Sequence, residues 1–152
     1  MQDYLKLRDV GYKLGDDGFC TILSTATITG LSFQRCRRKL EKYGRKRGEG
    51  AYTWVQLKAL KAFGYSSKSM YQKTTTMSHQ FPYRAISKGL TANQFSEKYN
   101  KGVYLVRIAS SNICHVACLV NGVYNDWIDK KYRGKAPKFL VDEAFLITKL
   151  EK

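Results

Sequence analysis

The dipeptide Asn121-Gly122, set between the β-rich runs 114–120 and 123–128, constrains this fold more than any other feature. A two-residue type I′ hairpin turn needs positive φ at both central residues, and Asn followed by Gly accepts this at little cost. The pair predicts two antiparallel strands in which Val120 faces Val123 and Ala117 faces Asp126. Side chains two apart share a face. His115, Ala117 and Asp126 then lie together, with His115 diagonal to Asp126 at roughly 7–8 Å between backbone positions. A slip of one residue would exchange Asp126 for Asn125.

Val103 to Ile108 forms another β-rich run, and residues 136–149 offer one or two more strands through Phe139, Val141, Phe145 and Ile147. Upstream the period changes. Phe19, Ile22, Leu23 and Ala26 recur at helical spacing up to Gly30, which predicts a short buried helix over residues 20–29. Its threonines lower intrinsic propensity, so packing must hold it. Ser32 caps a second helix, with Phe33, Cys36, Leu40 and Tyr43 inward and basic residues around them to position 47. Thr53 caps a third, with Trp54, Leu57, Leu60 and Phe63 inward. Thr91 caps a short fourth carrying Phe95 and Tyr99. Residues 66–82 are polar, end at Pro82, and read as a long surface loop or a weak hairpin. The expectation is one α+β domain over residues 1–152, helices first and a mostly antiparallel sheet after.

At 152 residues the chain can form a sizeable core, and an apolar content of 43% with only 2 prolines argues against a disordered chain. No apolar run reaches the roughly 18 residues of a membrane span. Asp3, Lys6, Arg8 and Asp9 interrupt any leader-like segment, so a cytoplasmic protein without a membrane span is expected. Four cysteines do not make a disulfide scaffold in a chain of this length.

The net charge is +15, and residues 31–76 carry twelve basic side chains against two acidic ones. Such an excess suits an acidic partner. Arg35, Arg37, Arg38, Lys42, Arg45, Lys46 and Arg47 are the candidate contacts to DNA or RNA phosphates. The competing reading of this run is a solvated helix face.

Cys20 follows the turn Gly15-Asp16-Asp17-Gly18 and opens the first predicted helix. A cysteine there gains from the helix dipole and from free backbone N–H groups, and both favour the nucleophilic thiolate. The competing reading is a small buried residue at a helix start. His115 lies in a mostly apolar strand and needs a partner for its ring nitrogens. Asp126 is placed to fix its tautomer and stabilise imidazolium. Cys114 and Cys118 fall on the opposite face of the strand, and their spacing departs from that of structural zinc sites, so no metal is expected. Cys36 reads as core and His79 as structural or incidental. No cofactor is called for.

The order Cys20, His115, Asp126 resembles that of the papain-like cysteine peptidases. The chain looks closest to small C39-peptidase-like phage and bacterial proteins of unclear function. The stretches that carry the resemblance are Asp16-Asp17-Gly18-Phe19-Cys20, Thr25-Ala26-Thr27-Ile28-Thr29-Gly30-Leu31-Ser32, Gly102-Val103-Tyr104-Leu105-Val106-Arg107, and His115 through Trp127. It covers most of the chain and is sharpest over residues 102–127. It implies a papain-like fold with Cys20 as nucleophile, His115 as base and Asp126 as orienter. Papain-like enzymes usually place a Gln or Asn shortly before the cysteine to help form the oxyanion hole. Here Asp16 or Asp17 occupies that region, and backbone N–H groups at Cys20 remain as donors.

Two functions follow as expectations. The first is a cysteine hydrolase, a peptidase or amidase working through a thioester on an acidic protein or peptide. The second is a catalytically inactive papain-like phage protein that binds nucleic acid or a host protein through its basic surface, in the host cytoplasm of an infected bacterium or in the virion.

Overall fold

A computed structural model describes residues 3–72, 89–109, 114–129 and 139–151. The chain is α+β. Four helices come first, α1 (Tyr4–Lys13), α2 (Cys20–Thr29), α3 (Phe33–Lys42) and α4 (Thr53–Ala62). Strand β1 (Tyr65–Gln72) follows, then α5 (Ala92–Lys98), β2 (Val103–Ala109), β3 (Cys114–Val120), β4 (Val123–Tyr124) and β5 (Leu140–Lys149). The strands form one antiparallel sheet in the order β1-β5-β2-β3-β4. No helix among the described residues is long and apolar enough to cross a membrane.

The hairpin forms in the expected register. Asn121 and Gly122 have φ of 47° and 81°, and Val120 pairs with Val123. The second strand is much shorter than the run 123–128 suggested. After Tyr124 only the bond from Asn125 N–H to the Cys118 carbonyl continues the ladder (2.9 Å). The chain then turns, with Asp129 N–H donating to the Asp126 carbonyl and Ile128 N–H to Asp126 Oδ1. Asp126 therefore sits in a turn and not opposite Ala117 in a strand.

Alternation along the strands serves two cores. Leu105, Val116 and Ile147 pack with Leu60, while Val106, Ile108, Ala117, Leu119 and Ala144 pack with Phe95 of α5. A third cluster joins α1 to α4 through Leu7, Ile22, Ala26, Phe33, Leu40 and Ala59.

α2 spans the predicted residues and is buried from Thr21 through Thr27. Four of its hydroxyls bond within the helix, whereas the buried Thr21 hydroxyl has no partner among the described residues. Ser24 donates to the Cys20 carbonyl (2.8 Å), Thr25 to Thr21 (2.6 Å), Thr27 to Leu23 (2.8 Å) and Thr29 to Thr25 (2.8 Å). Gln56 Nε2 of α4 adds donors to the Thr21 carbonyl, Ser24 Oγ and Thr25 Oγ1.

Three expectations are corrected. Tyr52, not Thr53, is the N-cap of α4. The Thr53 hydroxyl donates to Glu143 Oε1 (2.7 Å), a longer-range bond than a cap would need. Trp54 is 60% exposed, because α4 turns Val55, Gln56, Ala59 and Leu60 inward. α3 ends at Lys42 and does not run to position 47: Arg45 N–H folds back onto the Leu40 carbonyl (3.0 Å), and Gly44 takes a φ of 121°. The polar stretch 66–82 begins as edge strand β1, and its remainder, with His79 and Pro82, lies outside the described residues.

Candidate active site

Cys20 is the first residue of α2 and is partly exposed. His115 is the second residue of β3, and Asp126 opens the turn after β4. The structure brings all three together. His115 Nε2 lies 2.8 and 2.9 Å from the two oxygens of Asp126. Since Nε2 is committed to that carboxylate, Nδ1 is the nitrogen left for the hydrogen bond between His115 and the Cys20 thiol. His115 is 8% exposed and Asp126 3%. The Trp127 ring sits 5.0 Å from the imidazole, centroid to centroid.

The short β4 contributes directly. Asn125 N–H reaches the Cys118 carbonyl, so even-numbered residues of β3 turn their backbone groups toward the β4 side. Two residues earlier β4 has ended, which leaves the Val116 N–H on that side, where it favours the Cys20 thiolate.

These contacts set the protonation states. Burial works against the Cys20 thiolate, but the His115 hydrogen bond and charge, with the Val116 N–H, outweigh it and lower the thiol below its usual 9.0; Asp126 opposes weakly. Burial likewise works against imidazolium, yet the Asp126 charge and hydrogen bond and the Cys20 sulfur raise His115 to about 10. The contacts thus favour the thiolate and the imidazolium together. Cys36 and Cys118 differ: burial pushes them up to about 11 and about 12. Cys114 is exposed and touches the Arg107 side chain.

The loop before Cys20 is held from outside. Arg45 places Nη1 2.9 Å from Asp16 Oδ2 and Nη2 2.6 Å from Oδ1, and Nη2 also donates to the Gly18 carbonyl (2.9 Å). Gly48 N–H donates to Asp16 Oδ1 (3.1 Å), and Arg47 donates to the Leu14 carbonyl. The segments approach so closely that a Cβ on Gly18 would lie 2.6 Å from the Gly48 backbone. Asp16 is fully buried in this clamp and turned from the cleft, whereas exposed Asp17 stands at the cleft's rim.

The clamp also redistributes the basic residues. Arg45 is buried with Asp16, Arg47 holds Leu14, and Arg37 pairs with Glu41 at 3.7 Å and Gln34 at 3.4 Å. Arg45 is therefore withdrawn from any phosphate. Arg35, Arg38, Lys42 and Lys46 remain exposed.

Cys20 and His115 open into a cleft of about 360 Å³. Its further walls are Tyr4, Arg8 and Tyr12 of α1, Phe19, Leu23, Cys114 and Trp127. Sequence reasoning missed α1 altogether. The signal was present: Asp3 accepts from Leu5 N–H as N-cap (2.8 Å), and Tyr4, Leu7 and Gly11 repeat at helical spacing on the buried side. A larger cavity of about 630 Å³ beside the Asn121-Gly122 turn brings no thiol or imidazole among its described lining residues. No protein-family model matches the chain, and no curated protein matches its sequence.

Proposed function

We propose that the chain is a cysteine hydrolase, a peptidase or amidase acting through a thioester, on a papain-like fold related to small C39-peptidase-like phage and bacterial proteins. One observation carries this reading: a helix-opening cysteine that shares one cleft with a histidine whose Nε2 is gripped by a buried aspartate. The Cys20 thiolate attacks the carbonyl carbon, and a C–S bond forms. The resulting oxyanion meets the Cys20 backbone N–H, one of the N–H groups that the first turn of α2 leaves without an intrahelical acceptor. His115 gives its proton to the departing amine as the C–N bond breaks. It then takes a proton from water, which hydrolyses the thioester and frees the thiol. Asp126 holds the imidazole and stabilises its charge throughout. The burial of Asp16 against Arg45 removes one of the two carboxylates before Cys20 from the path of the oxyanion, and Asp17 stays at the rim.

The test is iodoacetamide labelling of each cysteine against pH, read by mass spectrometry. Wild-type Cys20 should label well below pH 7 and hold its rate into the alkaline range. His115→Ala should move the onset to near the free-thiol value of about 8.5. A Cys20 that labels only near that value in both proteins overturns the reading.

A second reading is compatible with the first and rests on a different face. Arg35, Arg38, Lys39 and Lys42 fall at i, i+3, i+4 and i+7 of α3, a cationic stripe that faces Phe63 and Ala62 across one groove. It supports binding of a nucleic-acid backbone, with a host protein as the competing partner.

A further inference from the structure

Tyr4, Arg8 and Tyr12 stand at i, i+4 and i+8 on α1, one above another, and form the cleft wall near Cys20. Arg8 is the cation of that wall. Its guanidinium lies 5.8 Å from the centroid of the Tyr12 ring, and its nearest carboxylate is Asp9 at 3.9 Å, itself 61% exposed. An exposed pair at that distance is worth little. The Arg8 Nε is buried and has no hydrogen-bond partner among the described residues. The guanidinium thus keeps donors in a fork that matches a carboxylate.

We infer that Arg8 selects substrates bearing a carboxylate near the scissile carbonyl, an aspartate or glutamate side chain or a free chain terminus. The inference rests on the hydrolase reading and names its substrate class. Tyr12, 61% exposed, sets an apolar ring face and a polar tip beside the cation, and Tyr4 packs buried beneath it. Tyr12 fits the remainder of a peptide beside an acidic group. Asp17 at the rim disfavours a second carboxylate there, so the acidic group must lie on the α1 side.

Two small alkylating reagents separate the claims, because iodoacetate carries the carboxylate that iodoacetamide lacks. Rates at Cys20 are measured for the full chain, its Arg8→Gln and Arg8→Lys variants and His115→Ala, with thermal melting to verify folding. In wild type the iodoacetate-to-iodoacetamide rate ratio should fall as salt rises. Arg8→Gln should lower that ratio about fivefold at low salt, the order expected for one partly screened charge several ångströms away. Arg8→Lys should keep most of it. A ratio equal in wild type and Arg8→Gln, with the His115-dependent iodoacetamide profile intact in wild type, overturns the role of Arg8 and leaves the hydrolase standing. An ordinary, His115-independent profile overturns the hydrolase and the substrate assignment with it, whatever the ratio does. Should Arg8→Gln fail to fold, loss of the salt response in Arg8→Lys would still count against the contact.

Discussion

Asp16 and Arg45 were each assigned by neighbourhood in the sequence, one to the oxyanion region and one to a phosphate-binding run. The fold spends both on each other, 29 positions apart. A charge count along the chain sees only local density and cannot see such a pairing. Burial alone would raise the Asp16 pKa, but the Arg45 hydrogen bonds, the Gly48 N–H and the Arg45 charge lower it below the ordinary 3.8. Its stabilisation is therefore complete above about pH 4 and lost as pH falls through the folded value. Asp16→Ala should cost about 3–5 kcal/mol at neutral pH, because Arg45 is left as an unpaired buried charge. Urea unfolding at pH 7 and pH 3 should show the gap between variant and wild type narrowing in acid. A constant gap would mean that the clamp does not titrate. The residues of the proposed triad carry more local signals. Cys20 is announced by its helix start, and the Asn121-Gly122 turn sends the chain back toward His115, although the contact with Asp126 is made by the turn after β4 and not by the strand register.

At the level of elements, legibility followed local chemistry. α2 and α5 were readable because their caps and periodicity are local; α5 shows a full capping box, Thr91 with Gln94. α4 was misread at Trp54 and not at Leu60: its buried face runs through Val55, Gln56, Ala59 and Leu60, and Gln56, a polar residue, is the one that packs on α2. Its amide serves backbone and hydroxyl acceptors that no apolar side chain could satisfy. Gln56→Leu should destabilise the protein by about 1–3 kcal/mol by leaving buried acceptors poorly partnered, as a shift in the denaturation midpoint at unchanged slope. The early end of β4 was not legible either, since run length in the sequence does not say where pairing stops. That ending leaves the Val116 N–H unpaired by β4 and lets Asp126 turn toward His115. The Asp126 charge raises both partners of the dyad. Asp126→Asn should then shift both limbs of the Cys20 alkylation profile toward lower pH, with the alkaline limb moving further. An unmoved alkaline limb would mean that Asp126 does not hold the imidazolium.

Across the whole molecule, the +15 charge is sorted by the fold into cations that brace structure and cations that face water. Arg37, Arg45 and Arg47 belong to the first group. The α3 stripe belongs to the second, and α4 extends it. Lys39 lies 5.3 Å from the Phe63 ring centroid, and Lys58 lies 5.2 Å from that of Tyr43. Lys61 follows Lys58 at i+3 on the same helix. The stripe carries no acidic residue at its helical positions, so a phosphate backbone would meet attraction along its length. Binding to such a face releases counterions, so the logarithm of affinity should fall linearly with the logarithm of salt, by about 0.9 for each duplex phosphate contacted. Replacing Arg35, Arg38 and Lys42 with Gln should weaken binding to duplexes of unrelated sequence alike and flatten that slope by up to about 2.7. The same triple variant leaves the cleft wall and the dyad untouched in sequence, so Cys20 alkylation serves as its internal control. A salt-independent affinity, or one that the triple variant does not change, would remove nucleic acid as the partner of this face and leave an acidic protein surface to be tested against it.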